Sequence, residues 1–154
     1  MSVGEPVDLL HQIGAFTADL LPQDRPRYLM GVGRPQDIVE AVSYGVDMFD
    51  CVVPTRNARN GTLYTWKGKL NIKAQRFAQD NDPVDPNCTC YTCRNFSKSY
   101  LRHLYNAGEL LSPRLNTIHN LHFFSELMER IRRSISEGWF SRLKKEIHES
   151  YPLT

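Results

Sequence analysis

The chain has 154 residues, 41% of them hydrophobic, enough for one buried core with a small appendage. Charged residues make up 23% and the formal net charge is +2, so global charge alone does not announce a nucleic-acid binder, and such an argument has to rest on where basic residues cluster. No charged-then-apolar leader opens the sequence and no apolar run approaches the roughly 18 residues of a membrane span, so no membrane partner is expected.

From Pro6 to Leu21, residues Val7, Leu9, Leu10, Ile13, Phe16, Leu20 and Leu21 recur at mostly helical spacing until Pro22 and Pro26 break the pattern. Tyr28 to Gly33 is a short apolar run ending in glycines, which suits a buried strand. Pro35 fits the first turn of a following helix, with Ile38, Val39, Ala41 and Val42 facing inward and Gly45 as its C-cap. Met48 to Val53 is a second short apolar run, closed by Pro54. A strand–helix–strand unit with two nearly continuous apolar strands predicts an α/β fold, a parallel sheet covered by helices.

Residues 54–87 read as irregular, except that Thr62 to Ile72 alternates around Lys67-Gly68 and predicts a β-hairpin. Helical segments are then expected over Asn95–Tyr105, Leu115–Glu137 and Trp139–His148. The long one would turn Ile118, Leu121, Phe124, Leu127, Met128, Ile131 and Ile135 inward, and Gly138 would end it. Arg130, Arg132 and Arg133, like Lys144 and Lys145, read as solvated helix faces. The chain thus divides into three parts, residues 1–53, 54–87 and 88–154.

The third part opens with Cys88, Cys90 and Cys93, spaced C-x-C-x-x-C, followed at a distance by His119. A tight turn can present three thiolates to one point, and a helix-borne imidazole can close the tetrahedron. Zinc takes four N/S ligands in this way, and a closed Cys3His set points to one structural Zn2+ rather than a catalytic one. The alternative is reduced free thiols beside an ordinary surface histidine. Cysteines grouped for a metal in a leaderless chain suggest a reducing, cytoplasmic setting. Cys51 stands apart and reads as a small buried apolar residue.

Chemistry has to be sought elsewhere. Asp50 interrupts the apolar run Met48 to Val53 near its C-terminal end, where α/β folds build their sites, and burying a carboxylate without a partner is expensive. It can be a nucleophile, a base or a metal ligand, or a structural aspartate capping Thr55 or pairing with Arg56. The polar stretch Thr55-Arg56-Asn57-Ala58-Arg59 reads as a loop whose two guanidinium forks suit phosphates. Gly31-Val32-Gly33-Arg34-Pro35 places small residues and another arginine at the end of the neighbouring strand, although a lone GxG is weak evidence.

Several of these segments resemble the tRNA-guanine transglycosylases, or queuine tRNA-ribosyltransferases, of bacterial type. The resemblance is carried by Tyr28 to Gly33, Gly45 to Val52, Pro54-Thr55-Arg56, Asn71-Ile72-Lys73, the Cys88, Cys90, Cys93 cluster and Thr117 to Leu121, in order along essentially the whole chain. It implies the C-terminal portion of a TIM (β/α)8 barrel with an inserted zinc-binding subdomain and C-terminal helices. Residues 1–53 would be the last βα units, 54–87 an RNA-contacting loop and hairpin, and 88–154 the zinc subdomain with the C-terminal helices.

The implied reaction replaces the wobble guanine of tRNAs with a GUN anticodon by a 7-deazaguanine, either 7-aminomethyl-7-deazaguanine or queuine. By resemblance Asp50 is the catalytic nucleophile. Val3, Gly4, Glu5, Tyr28, Met30 and Gly31 line the base pocket. The stretch Gly31, Val32, Gly33, Arg34, Pro35, Gln36 and Asp37 contacts RNA, as do Thr55, Arg56, Asn57, Ala58 and Arg59. Cys88, Cys90, Cys93 and His119 match the zinc ligands. Members of the family are more than twice this long, so the early strands, and with them a second aspartate acting as general acid/base, are expected to be missing. A homodimer, or a missing N-terminal half, is the expected partner. A non-catalytic zinc-containing dimerisation or RNA-binding fragment is the alternative.

Overall fold

Prolines and glycines punctuate the first third of the chain, and the elements form between them. The computed structural model describes residues 6–152. Helix α1 (Val7–Leu20) ends at Leu21, and strand β1 (Tyr28–Met30), helix α2 (Pro35–Ser43) and strand β2 (Met48–Asp50) follow. The strands pair in parallel with Tyr28 opposite Met48, Leu29 opposite Phe49 and Met30 opposite Asp50. Helix α2 starts where the sequence predicts, because Pro35 lacks an amide that the first turn does not need, and Asp37 in that turn favours the helix dipole.

The expected burial of both strands does not hold. Leu29 is buried, but Tyr28 and Met30, which alternate with it, and Met48, opposite Tyr28 in register, are exposed, Met30 to 65%. A strand turns successive side chains to opposite faces, and this two-stranded sheet has one open face. The second strand also stops at Asp50 rather than at Val53. Val53 and Pro54 open helix α3 (Val53–Arg59) instead, with the proline in its first turn.

The chain divides into two compact units, one formed by residues up to Val53 together with those from Glu137 onward, the other by Pro54–Ser136. The segment expected over 54–87 therefore shares a unit with most of 88–154, whereas the last helix, α7 (Phe140–Ser150), belongs with the first unit. In that unit α7 buries Leu143 and Ile147 and packs on α2. Lys144 Nζ lies 2.9 Å from Glu40 Oε1 and His148 Nε2 3.2 Å from Glu40 Oε2. Helix α1 buries Leu10 and Ala18 but leaves Leu9, Ile13, Phe16 and Leu20 exposed along one stripe.

The second unit begins with α3, then the expected hairpin, β3 (Thr62–Thr65) and β4 (Gly68–Asn71), turning through Trp66 and Lys67. After a 3-10 turn over Gln75–Phe77 come α4 (Tyr91–Asn95), which the sequence did not signal, α5 (Lys98–Asn106), capped by Ser97, and α6 (Leu111–Ser136). Helix α6 starts before the expected Leu115 because Pro113 falls in the first turn, where an amide has no intrahelical partner. Its inward face carries Leu115, His119, Phe123, Phe124, Leu127 and Ile131, while Leu121 and Ile135, expected inward, are exposed. The core joins Leu63 and Ile72 of the hairpin region to Phe77, Val84, Leu101, Leu104 and Leu115. Among the described residues, no helix is long and apolar enough to cross a membrane.

Burial opposes the charge of Glu40, but the hydrogen bonds and charges of Lys144 and His148 outweigh it and hold its carboxyl below the ordinary value of 4.5. A depressed carboxyl contributes stability above that ordinary value and loses it as pH falls through the folded value. Glu40→Gln is expected to cost about 0.5–1 kcal/mol at neutral pH, since the pair is partly solvated. Urea melts should show the gap between variant and wild type closing as pH falls below that of an ordinary glutamate. A gap that persists in acid would contradict this role.

Candidate metal centre and the Asp50 constellation

The three cysteines and His119 converge as the spacing predicts. Cys90 caps the start of the short helix α4, its Sγ accepting the Cys93 amide at 3.3 Å, which turns Cys93 back toward Cys88. Helix α6 supplies His119 from the opposite side. Its Nδ1 lies 3.7, 3.6 and 3.3 Å from the sulfurs of Cys88, Cys90 and Cys93, and all four ligand atoms fall within 4.8 Å of one another. Zn–S bonds of ~2.3 Å and a Zn–N bond of ~2.0 Å at tetrahedral angles set a sulfur–nitrogen edge of ~3.6 Å. The residues fit zinc, and four N/S donors make a set of the closed, structural kind.

The tautomer is set by the other side of the ring. His119 Nε2 donates to the Tyr64 carbonyl at 2.8 Å, a group that can only accept, so Nδ1 faces the sulfurs. With no cation present, burial opposes the imidazolium, but hydrogen bonds with Cys88, Cys90 and the Tyr64 carbonyl outweigh it and raise its pKa to about 9. Hydrogen bonds from Cys88 and Cys93 push the Cys90 thiol far down, and the same cluster pushes the Cys93 thiol far up. A divalent cation relieves this competition, because it replaces the shared protons with a positive charge.

Asp50 ends β2 and is exposed, so the cost of desolvating its carboxylate, which made it notable in the sequence, does not arise. The open sheet face explains this. Tyr28 Oη donates to Asp50 Oδ1 at 2.7 Å, and the Gly31 amide approaches the same oxygen at 3.4 Å while donating to the Asp50 carbonyl at 2.9 Å. The hydrogen bond to the carboxylate raises the Tyr28 pKa. Gly31 takes φ +80, a left-handed conformation that suits glycine and aims its amide at Asp50. Met30 stands opposite Asp50 in the sheet register. The structure thus brings Asp50, Tyr28, Met30 and Gly31 together, while Val3, Gly4 and Glu5 lie outside the described residues.

The two candidate RNA stretches divide by burial. Within Gly31–Asp37 only Gly31 and Arg34 are exposed; Val32, Gly33, Pro35, Gln36 and Asp37 are buried. A Cβ on Gly33 would fall 1.7 Å from Cys51 Sγ, so the chain needs glycine there. Cys51 itself is half-buried, and burial pushes its thiol up. Gln36 Oε1 and Asp37 Oδ1 have no hydrogen-bond partner among the described residues, although His11 Nε2 comes within 3.5 Å of the latter. Thr55–Arg59 is not a loop but the body of α3. Arg56 and Arg59, three positions apart, share an exposed side, Ala58 is fully buried, and Asn57 Nδ2 donates to Tyr64 Oη.

Tyr64, Asn116 and Asn120, given no role in the sequence reading, tie α3 and the hairpin to α6. The available signal was the pair of asparagines flanking His119 by three residues and one, polar positions on an otherwise apolar helix face.

A parallel strand–helix–strand unit in one part of the chain and a closed Cys3His set able to hold zinc in the other define an α/β protein with a candidate metal centre. The chain belongs to the queuine tRNA-ribosyltransferase family, whose sequence profile matches residues 1–153. Among its relatives, the queuine tRNA-ribosyltransferase of Solidesulfovibrio magneticus is 57% identical over 152 residues, covering 99% of this chain and 41% of that protein. That of Nitratidesulfovibrio vulgaris is also 57% identical, over 99% of this chain and 40% of its own length. That of Francisella tularensis subsp. tularensis is 55% identical over 98% and 41%. The chain spans about two fifths of the length of the curated relatives it matches.

The purified chain is expected to carry one zinc ion, and Cys93→Ala to weaken zinc binding by at least about tenfold in competition with a chromophoric chelator. Stripping the metal from the wild type should reduce the helical circular dichroism signal, because α4 and α6 meet at the centre. An unchanged signal after complete removal would contradict a structural role.

Proposed function

We propose that this chain is the C-terminal portion of a tRNA-guanine transglycosylase, a zinc-containing cytoplasmic enzyme that exchanges the wobble guanine of GUN-anticodon tRNAs for a 7-deazaguanine. The observation that carries the reading is the exposed Asp50 carboxylate, oriented by Tyr28 and Gly31 at the end of β2. Membership of the queuine tRNA-ribosyltransferase family supports the reaction.

In this reading Tyr28 and Gly31 hold Oδ1, and Oδ2 attacks C1′ of the wobble ribose. The C1′–N9 bond breaks, guanine leaves as it gains a proton, and the RNA stays bound through an Asp50 ester. The N9 of the incoming base then attacks C1′ as it gives up its proton to the group that protonated guanine, and Asp50 departs as a carboxylate, so two inversions give net retention, as in retaining glycoside hydrolysis. Tyr28 and Met30 flank the purine, and Val3, Gly4, Glu5 and Gly31 line its pocket. Arg34 and the exposed side of α3, Arg56 and Arg59, bind the RNA backbone, with the rest of Gly31–Asp37 and Thr55–Arg59 shaping those contacts. The proton donor belongs to the part of the family that this chain does not span.

β1, α2 and β2 are, in the same reading, neighbouring units of a (β/α)8 barrel. Their parallel pairing supports this, as does the position of Asp50 at the C-terminal end of a strand. The exposed Tyr28, Met30 and Met48 and the α1 stripe of Leu9, Ile13, Phe16 and Leu20 are surfaces that further units of such a barrel would cover. An N-terminal half would cover them, and homodimers are the expected assembly.

Labelled guanine, zinc-loaded chain and unmodified GUN-anticodon tRNA test the proposal. The expected result is incorporation and a denaturant-resistant RNA–protein adduct, both reduced at least about a thousandfold by Asp50→Asn. Reversible tRNA binding without an adduct, unaffected by Asp50→Asn, would instead identify a non-catalytic RNA-binding fragment.

A further inference from the structure

Helix α6 carries a zinc ligand between two buried asparagines, and both reach the helix that bears the exposed arginines. Asn120, with no exposed surface, donates through Nδ2 to the carbonyls of Pro54 at 2.9 Å and Thr62 at 3.0 Å, and accepts the Tyr64 amide on Oδ1 at 3.1 Å. Asn116, equally buried, donates to the Ala58 carbonyl at 3.3 Å. Between them His119 donates to the Tyr64 carbonyl, and the Tyr64 hydroxyl accepts from Asn57. Helix α3 is therefore held at Pro54, Asn57 and Ala58, near both its ends, by contacts that converge on one stretch of α6 and on Tyr64.

A seven-residue helix does not sustain itself in water, where helices shorter than roughly 12 residues are marginal. Pro54 and Ala58 are the only buried residues of α3, small anchors on one side of a helix whose other side is polar. Its rotation then depends on where its carbonyls are caught, and a rotation of one residue would turn Arg56 and Arg59 by about 100°. His119 fixes α6 at the metal centre, and Asn116 and Asn120, three positions away and one, inherit that orientation.

We infer that Asn116 and Asn120 are positioning residues for RNA recognition: they lock α3 to the zinc-bearing turn of α6, so that metal ligation at His119 sets the direction in which Arg56 and Arg59 meet the tRNA backbone. The inference rests on the proposed tRNA-binding reading and adds its control by the metal centre. Neither asparagine touches the RNA or the metal; each acts through α3.

Asn120→Asp keeps the acceptor for the Tyr64 amide but sets a carboxylate oxygen against the Pro54 and Thr62 carbonyls. Asn116→Ala removes a single hydrogen bond and keeps the test open should Asn120→Asp fail to fold. Both are to be made in the full chain and loaded with zinc. The expected result is an unchanged metal content, with backbone amides of residues 56–61 exchanging with deuterium about tenfold faster in the absence of RNA. The tRNA dissociation constant should rise about tenfold, and this rise should vanish in an Arg56→Ala/Arg59→Ala background, because the asparagines act through those side chains. Unchanged exchange in α3, or a loss of affinity that simply adds to that of the arginine variant, would overturn the inference. A wild type that binds no tRNA, or an arginine variant that binds as well as wild type, would overturn the reading beneath it. The exchange measurement, which needs no RNA, tells the two failures apart.

Discussion

A buried imidazole has to satisfy two nitrogens, and His119 meets them on opposite sides: a carbonyl at Nε2 and three sulfurs around Nδ1. That constraint organises the second unit. The carbonyl belongs to Tyr64, on the hairpin, and the sulfurs belong to the loop and short helix around residues 88–93. Helix α6 is thereby tied to two segments distant in sequence. Structural zinc contributes on the order of 10 kcal/mol in small peptides, comparable with the stability of an entire domain. A unit of this size can therefore organise around one ion, with Leu63, Leu101 and Leu115 closing the core beside it.

The first unit follows a different physics. Its parallel strands are short and covered on one side, and its apolar residues divide between a packed α2–α7 interior and an open face. Asp50 sits on that open face, with Tyr28 and Met30 beside it. An exposed carboxylate held by a phenol and a backbone amide is oriented without being desolvated.

Much of this was legible in the residues. The C-x-C-x-x-C spacing and a helix-borne His119 announced the metal centre, and Pro35 and Gly45 marked α2 within a residue or two. Lys67-Gly68 located the hairpin turn. Three features were not legible, for physical reasons. Pro54 reads as the close of a strand and the long helix was expected only from Leu115, yet Pro54 and Pro113 each stand in the first turn of a helix, where the missing amide does no harm. An apolar run signals a buried strand only when something covers both faces, and nothing in Met48–Val53 reveals that one face is open. Asn116 and Asn120 carry no motif of their own; their role appears only when the carbonyls of Pro54, Ala58 and Thr62 are brought beside them.

The organisation of the second unit depends most on a closed, four-ligand zinc centre built by Cys88, Cys90, Cys93 and His119. X-ray absorption at the zinc edge of the metal-loaded chain tests that most directly. It should give three sulfurs at about 2.3 Å and one nitrogen at about 2.0 Å. A first shell with a bound water oxygen, or with fewer than three sulfurs, would contradict the closed structural site and the organisation of the second unit derived from it.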